Sequence, residues 1–204
     1  MKGAFTLNSV NHGRWTELVG KGTANAMLGL SRMIGQEIHV TSFSLRRIPV
    51  VQIADLVGGP EVTSVGIYLT ATGSANGHIM LVYDPRIACA FVDLLMGQPP
   101  NTTRHLGELE RSALGEMGNI IGSFFLSALA DETGLDLRPS PPAVMMDMAG
   151  ALLDIVAADI LLTQDEAFVA EATFHTADRE IAGMFFVIPS EGLVNALVQW
   201  GRTA

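Results

Sequence analysis

The chain reads as an α/β (α+β) protein with pseudo-twofold internal symmetry: an α-β-β-β-α unit used twice, with two long helices packed on a shared, mostly antiparallel sheet. Three observations predict this. Helical and alternating segments recur in the same order in both halves of the 204 residues. Residues of the first helix in each half match at a spacing of 99, pairing Glu17 with Glu116, Leu30 with Leu129 and Gly35 with Gly134. Pro85 and Gly97 match Pro189 and Gly201 at a spacing of 104, so the second half holds a five-residue insertion, expected in its strand region.

The first half, about 10–98, opens with a helical pattern from about Trp15 to Ile34, whose apolar residues include Leu18, Leu28, Leu30, Met33 and Ile34, with Gly35 as the stop. An extended stretch follows through Ile38, Val40 and Phe43 and on through Val50, Val51 and Ile53. Val65, Ile67, Leu69 and Ala71 then alternate with Gly66, Tyr68, Thr70 and Thr72, and Gly73 to Gly77 turns the chain into a return strand, Ile79 to Tyr83. A helix from about Pro85 to Met96 ends at Gly97. The second half, about 104–204, repeats the order: a helix over 107–133, strands over Leu152–Leu162, Phe168–Phe174 and Ile181–Ile188, and a last helix from near Pro189 to Gly201. Pro99-Pro100-Asn101-Thr102-Thr103 connects the halves. Each half leaves a sheet edge and an apolar face for the other to complete, so residues 1–204 are expected to form one domain rather than two.

Composition narrows the function. Apolar residues make up 49% and charged residues 16%, which fits a compact protein with a large core and not a disordered one. A formal net charge of −9 leaves no basic footprint for nucleic acid and disfavours anionic membrane. The start of the chain has no apolar segment of signal-peptide length, and the single cysteine, Cys89, has no disulfide partner, so the cytoplasm is the expected compartment. Cys89 is expected to be a structural thiol, and the ten methionines, Met145, Met146 and Met148 among them, are expected to fill the core. His12, His39, His78, His105 and His175 show no metal-ligand spacing, and the sequence has no P-loop, dinucleotide fingerprint or nucleophile elbow.

The helix over 107–133 holds the most informative pattern. Ser112, Glu116, Asn119, Ser123 and Ser127 share one stripe, while Leu114, Met117, Ile121, Phe124, Phe125 and Leu129 form the opposite, buried face. Glu116 and Asn119 stand three apart, so their side chains are neighbours. A carboxamide there can hold a water, and a carboxylate can pair with a partner's lysine. By spacing alone, such a stripe is the ordinary solvated face of an amphipathic helix.

The wider pattern Ser112-x3-Glu116-x2-Asn119-x22-Pro142 resembles the signature of the CheC/CheX/FliY phosphatases of chemotaxis, closest to CheC: Ser or Asp, then Glu, Asn and a distant Pro. The length and the doubled architecture extend the resemblance across the chain. The first half departs from it. Glu17 stands in the Glu position, but Gly13, Gly20 and Phe43 occupy the positions of the leading Ser or Asp, the Asn and the Pro. Asn25 is no substitute, since it lies about 80° around the helix from Glu17. The resemblance therefore implies one site, not two, with Glu17 and Gly20 marking a degenerate remnant.

It also implies the chemistry: hydrolysis of the aspartyl phosphate on a CheY-like receiver domain that carries its own Mg²⁺, with no cofactor or metal in this chain. Asn119 would position water and Glu116 would anchor the receiver. Ser112 would border the contact, and Pro142 would either fix the chain beside the site or belong to an ordinary turn. Two other readings stay open: a non-catalytic binding module similar to the middle domain of FliM in the flagellar switch, or a regulator of a CheD-like deamidase docked on helix 85–96 or 190–200.

Overall fold

The computed structural model describes residues 9–160, 166–175, 180–189 and 195. Helix α1 (Ser9–Ile34) stops where Gly35 adopts φ 68°. It is followed by strand β1 (His39–Pro49), two 3-10 turns (Val50–Gln52 and Ala54–Val57), β2 (Thr63–Gly73), β3 (Gly77–Tyr83) and helix α2 (Pro85–Leu95). The second half contributes α3 (Glu108–Thr133), β4 (Leu137–Pro139), β5 (Ala143–Met148), helix α4 (Ala149–Ile160), β6 (Glu166–His175) and β7 (Glu180–Pro189). Gly134, at φ 70°, ends α3 as Gly35 ends α1, in the left-handed conformation that glycine adopts without steric cost.

The sheet runs β1-β6-β7-β3-β2-β4, with β5 also on β2, and every pair is antiparallel. Read outward from the central β7–β3 pair, the order is the same in both directions: β6 and β1 on one side, β2 and β4/β5 on the other. Each half therefore places its first strand on the other half's sheet edge. A half alone would leave two strand edges unpaired. This is the pseudo-twofold arrangement expected from the repeated sequence.

The sheet has two covered faces. Val65, Ile67 and Leu69 of β2, with Ile79 and Leu81 of β3, share a core with α1, α2 and α3. On the opposite face Met80, Val82 and Val169 pack with Val50, Ile53 and Leu153. The buried face of α3 is the expected one, with Leu114, Met117, Ile121, Phe125 and Leu129 all buried and Phe124 half-buried. By length and composition α3 is apolar enough to cross a membrane, yet here it is a core helix held between α1 and the sheet.

Helices α1 and α3 are antiparallel neighbours. Lys21 reaches Glu132, and Asn25 donates its side-chain amide to the Phe124 carbonyl at 2.6 Å. Close approach depends on Gly22 and Gly29: a Cβ at Gly22 would lie 2.7 Å from the Phe125 ring, and one at Gly29 would lie 2.6 Å from the Phe124 ring. Residues 25 and 124 are each other's counterparts at the spacing of 99, so this contact marks the pseudo-twofold axis.

Three local expectations are corrected. Residues 149–160, most of the expected strand Leu152–Leu162, form α4. The apolar run suits either state, but Ala149, Ala151, Ala157 and Ala158 favour a helix, and Leu152 packs on Gly66, where a Cβ would meet Leu152 Cδ1 at 3.3 Å. The strand role falls instead to β4 and β5, with no strand in the sequence reading at that place. Val50 and Ile53 lie not in a strand but in the first 3-10 turn and at the cap between the two turns, where both are buried and Val51 is 75% exposed. The spacing of 99 holds as far as the ends of β1 and β5, Pro49 and Met148, so the added residues belong to the segment containing α4. Third, two of the methionines expected to fill the core are exposed, Met146 at 46% and Met148 at 51%. The final helix expected over 190–200 lies outside the described residues.

The connector is tied down. Asp93 of α2, 1% exposed, accepts hydrogen bonds from the backbone N–H groups of Thr102 at 3.1 Å and Thr103 at 2.7 Å. Burial pushes this carboxyl upward, but the bonds from Thr103, Thr102 and Asn101 outweigh it and hold the pKa below the ordinary value. The path into the first turn of α3 is thereby fixed from α2.

Candidate functional site

The polar stripe of α3 is open to solvent at the positions that matter. Ser112, Glu116, Asn119 and Ser127 are exposed, and Ser123 is half-buried. With the opposite face of the helix in the core, the stripe cannot rotate away, and Glu116 and Asn119 stand one turn apart with Cβ atoms ~5–6 Å from each other. Among the described residues no cation pairs with Glu116 and nothing hydrogen-bonds the Asn119 amide, so both groups are available to a partner.

Pro142 comes to the same place from the sheet. Residues 140–142 interrupt the edge between β4 and β5. Ser140 bridges the break, donating its N–H to the Thr70 carbonyl at 2.8 Å and accepting from the Thr70 N–H at 3.0 Å through Oγ. The prolines, with no N–H, need no ladder partner there. Pro142 packs on α3 at Gly118, where an added Cβ would sit 3.4 Å from Pro142 Cβ and 2.5 Å from Ile67 Cγ2. Gly118 precedes Asn119, so the proline and the amide belong to one local assembly. Gly118 was missed in the sequence, where nothing but its place between Met117 and Asn119 could have drawn notice.

The counterpart in α1 is also exposed, but its carboxylate is paired. Glu17 is bound to Lys21 at 3.3 Å, and the same ammonium holds Glu132 of α3 at 2.9 Å. The two carboxylates, Glu132 foremost, raise the Lys21 pKa. At Gly20 a Cβ would have the Phe43 ring 3.8 Å away, so Phe43 flanks the position where Pro142 flanks its own helix. Strand β1 also runs unbroken through Phe43, where the second half is interrupted at Pro141-Pro142. Since Asn25 meets Phe124, and Glu17 and Glu116 each lie eight residues earlier on antiparallel helices, the two glutamates are about 24 Å apart along the helix axes.

Among the described residues no group of three or more His, Cys, Asp or Glu could hold a metal ion. Cys89 is half-buried, and its thiol is pushed up by desolvation, with Asp93 and Glu110 adding to the effect. The site is thus an exposed carboxylate and carboxamide on a rigid helix, braced by a proline of a broken edge strand.

Fold and site together define a doubled α/β protein with two antiparallel helices on one face of a pseudo-symmetric sheet and a polar pair on one of those helices. The model described as the CheC-like family matches residues 109–146, the segment that carries Ser112, Glu116, Asn119 and Pro142. Over 172 residues the chain is 27% identical to the protein named CheY-P phosphatase CheC from Bacillus subtilis, covering 82% of each. Its fold is similar to that of Thermotoga maritima FliY, with a TM-score of 0.75, 22% identity and coverage of 98% of this chain and 99% of that one. The middle domain of FliM from H. pylori has a TM-score of 0.68 at 13% identity, covering 95% of this chain and 99% of its own. The chain is thus similar to the CheC-like family over residues 109–146 and to a CheC protein over most of its length; the likeness to FliY and FliM concerns the fold.

Proposed function

We propose that this protein hydrolyses the aspartyl phosphate of a CheY-like receiver domain in the cytoplasm. The observation that carries the reading is the exposed Glu116/Asn119 pair on α3, beside Pro142, within the segment matched by the CheC-like model. Its relative in Bacillus subtilis is named for that activity.

In the proposed reaction the receiver binds with its phosphoryl group over Asn119 and its lysine against Glu116. The amide holds a water in line with the phosphorus. The water oxygen bonds to phosphorus, the bond from phosphorus to the aspartyl oxygen breaks, and inorganic phosphate and a free carboxylate leave. The Mg²⁺ that offsets the developing charge belongs to the receiver. Phosphoryl transfer depends on position and electrostatics more than on covalent help, so one fixed amide is a sufficient contribution from this chain. Ser112 borders the contact, and Pro142 steadies the wall beside it.

The test is phosphate release from a set of receiver domains phosphorylated with a small-molecule donor, with and without this protein. Faster release from at least one receiver, abolished by Asn119→Ala, is the expected outcome. A chain that binds phosphorylated receivers without accelerating release would instead be a binding module.

A further inference from the structure

We infer that Ser140 is a positioning residue for Asn119: its hydroxyl fixes the bulge that sets Pro142 against Gly118, an inference that rests on the function proposed above. The edge strand gains a residue at this point. Pro139 stands opposite Ala71 and Ala143 opposite Tyr68, so Ser140, Pro141 and Pro142 face only Leu69 and Thr70 of β2. A bulge of this kind bends its strand and re-aims the side chains it carries.

A bulge that contains two prolines is short of hydrogen bonds, because neither proline has an N–H to offer. Ser140 supplies them. Its N–H donates to the Thr70 carbonyl at 2.8 Å, and its Oγ accepts from the Thr70 N–H at 3.0 Å. The same hydroxyl donates to the Pro141 carbonyl at 3.2 Å. That carbonyl belongs to the peptide group that carries Pro142. One hydroxyl, accepting and donating at once, therefore links the backbone of β2 to the plane of the Pro141–Pro142 peptide.

What the link holds lies on α3. An added Cβ would sit 3.6 Å from Pro139 at Gly122, 3.4 Å from Pro142 at Gly118 and 3.7 Å from Val144 at Gly115. Pro139 and Val144 belong to the paired strands β4 and β5, whereas Pro142 belongs to the bulge. Gly118 directly precedes Asn119, and Gly115 directly precedes Glu116. Loosening the bulge thus frees the wall beside the amide and leaves the contact beside the carboxylate. The two groups also differ in tolerance. Ion-pair attraction falls slowly with distance, but misplacing a reacting group by about 1 Å can cost roughly 10²-fold in rate.

The first half shows which replacement suits the place. Thr41 stands at the spacing of 99 from Ser140, and β1 also shifts register there, between Val40 and Ser42, while remaining one strand.

The experiment compares the parent chain with Ser140→Ala, Ser140→Thr, Thr72→Val and Asn119→Ala. Thr72 is the control: its hydroxyl also bonds across this edge, to the Arg138 carbonyl at 3.2 Å, but outside the bulge. Steady-state release is measured on the receiver that the parent acts on, and Kd on that receiver held with beryllofluoride in place of phosphate. NMR follows the Asn119 side-chain amide, whose signals are those lost in Asn119→Ala. All variants are assayed well below their melting temperatures. Ser140→Ala should lower kcat about tenfold and shift the amide signals, with KM and Kd within about twofold of the parent. Ser140→Thr and Thr72→Val should match the parent in every reading. If Ser140→Ala does not fold, Ser140→Cys, with its weakly hydrogen-bonding thiol, takes its place. Parent kcat and unmoved amide signals in Ser140→Ala overturn the inference, and so does a loss that Ser140→Thr fails to restore or that Thr72→Val shares. Each of these, beside an inactive Asn119→Ala, leaves the catalytic reading standing. If the parent releases phosphate from no receiver, the catalytic reading is what falls, and the amide signals alone decide whether Ser140 positions Asn119.

Discussion

Helices α1 and α3 are each 26 residues long, each ends on a left-handed glycine, and they meet at residues related by the internal repeat. Their outward faces nevertheless differ. On α3 the carboxylate at Glu116 is unpaired among the described residues, an amide follows at Asn119, and a proline braces the helix from a broken strand. On α1 the carboxylate at Glu17 is held by Lys21, a glycine stands at 20, and Phe43 lies alongside from an unbroken strand. Duplication supplied two similar scaffolds. The difference between a possible site and a structural surface comes down to a few side chains and one interruption in a strand.

The largest expected effect is on the amide. Asn119→Ala should lower phosphate release by about 10²-fold, the scale of losing one positioned catalytic donor. Its melting temperature should stay near that of the parent, since an exposed side chain takes no packing with it. Parent-level release by this variant would erase the functional contrast between the helices.

A smaller effect is expected from Gly118→Ala. The new methyl would meet Ile67 Cγ2 at 2.5 Å, within the core, and Pro142 at 3.4 Å. Overpacking of this kind costs about 1–3 kcal/mol, and it pushes α3 off the sheet beside the site. Chemical denaturation reads the stability, and release assays should show an accompanying loss of activity. Gly20→Ala, with only the Phe43 ring at 3.8 Å, should be neutral or slightly stabilising.

Asp93→Ala sharpens the comparison from another side, because the connector leads into α3 and not α1. Removing the acceptor strands the Thr102 and Thr103 N–H groups, at about 1–3 kcal/mol. The pKa of Asp93 is depressed in the fold, so its stabilisation is present above the ordinary carboxyl range and fades as pH falls through the lower folded value. The parent should therefore lose stability in acid below about pH 4, and Asp93→Ala should show a weaker dependence there. Urea melts at neutral and acid pH compare the two.

The smallest effect is expected from Gly20→Asn. Restoring the amide leaves Glu17 tied to Lys21 and Phe43 in place, so phosphate release should not rise above the parent. Stability should change by only a few tenths of a kcal/mol, since asparagine is a slightly better helix residue than glycine.

Much of this contrast could be read from the chain. The α3 face was legible because apolar residues at helical spacing must share the core, which leaves Ser112, Glu116 and Asn119 outside. Gly20 was equally plain, since a missing side chain needs no structure to be noticed. The α4 segment was misread because a run such as Leu152 to Ile160 suits either a buried strand or a helix, and only its packing on Gly66 and its alanines decide the matter. The Lys21–Glu132 tie joins residues 111 positions apart, which no local pattern encodes. Met146 and Met148 look like core residues in the sequence. What exposes them is the position of β5 at the sheet edge, beyond the part that α3 covers.

The most direct test of the central claim is a pair of charge reversals, Glu116→Lys and Glu17→Lys, assayed side by side on one phosphorylated receiver. Glu116→Lys sets an ammonium against the receiver's lysine and should abolish release. Glu17→Lys, about 24 Å away along the helices, should leave the rate close to that of the parent, with one receiver bound per chain. Equal losses in the two variants would contradict the claim and make α1 a working site.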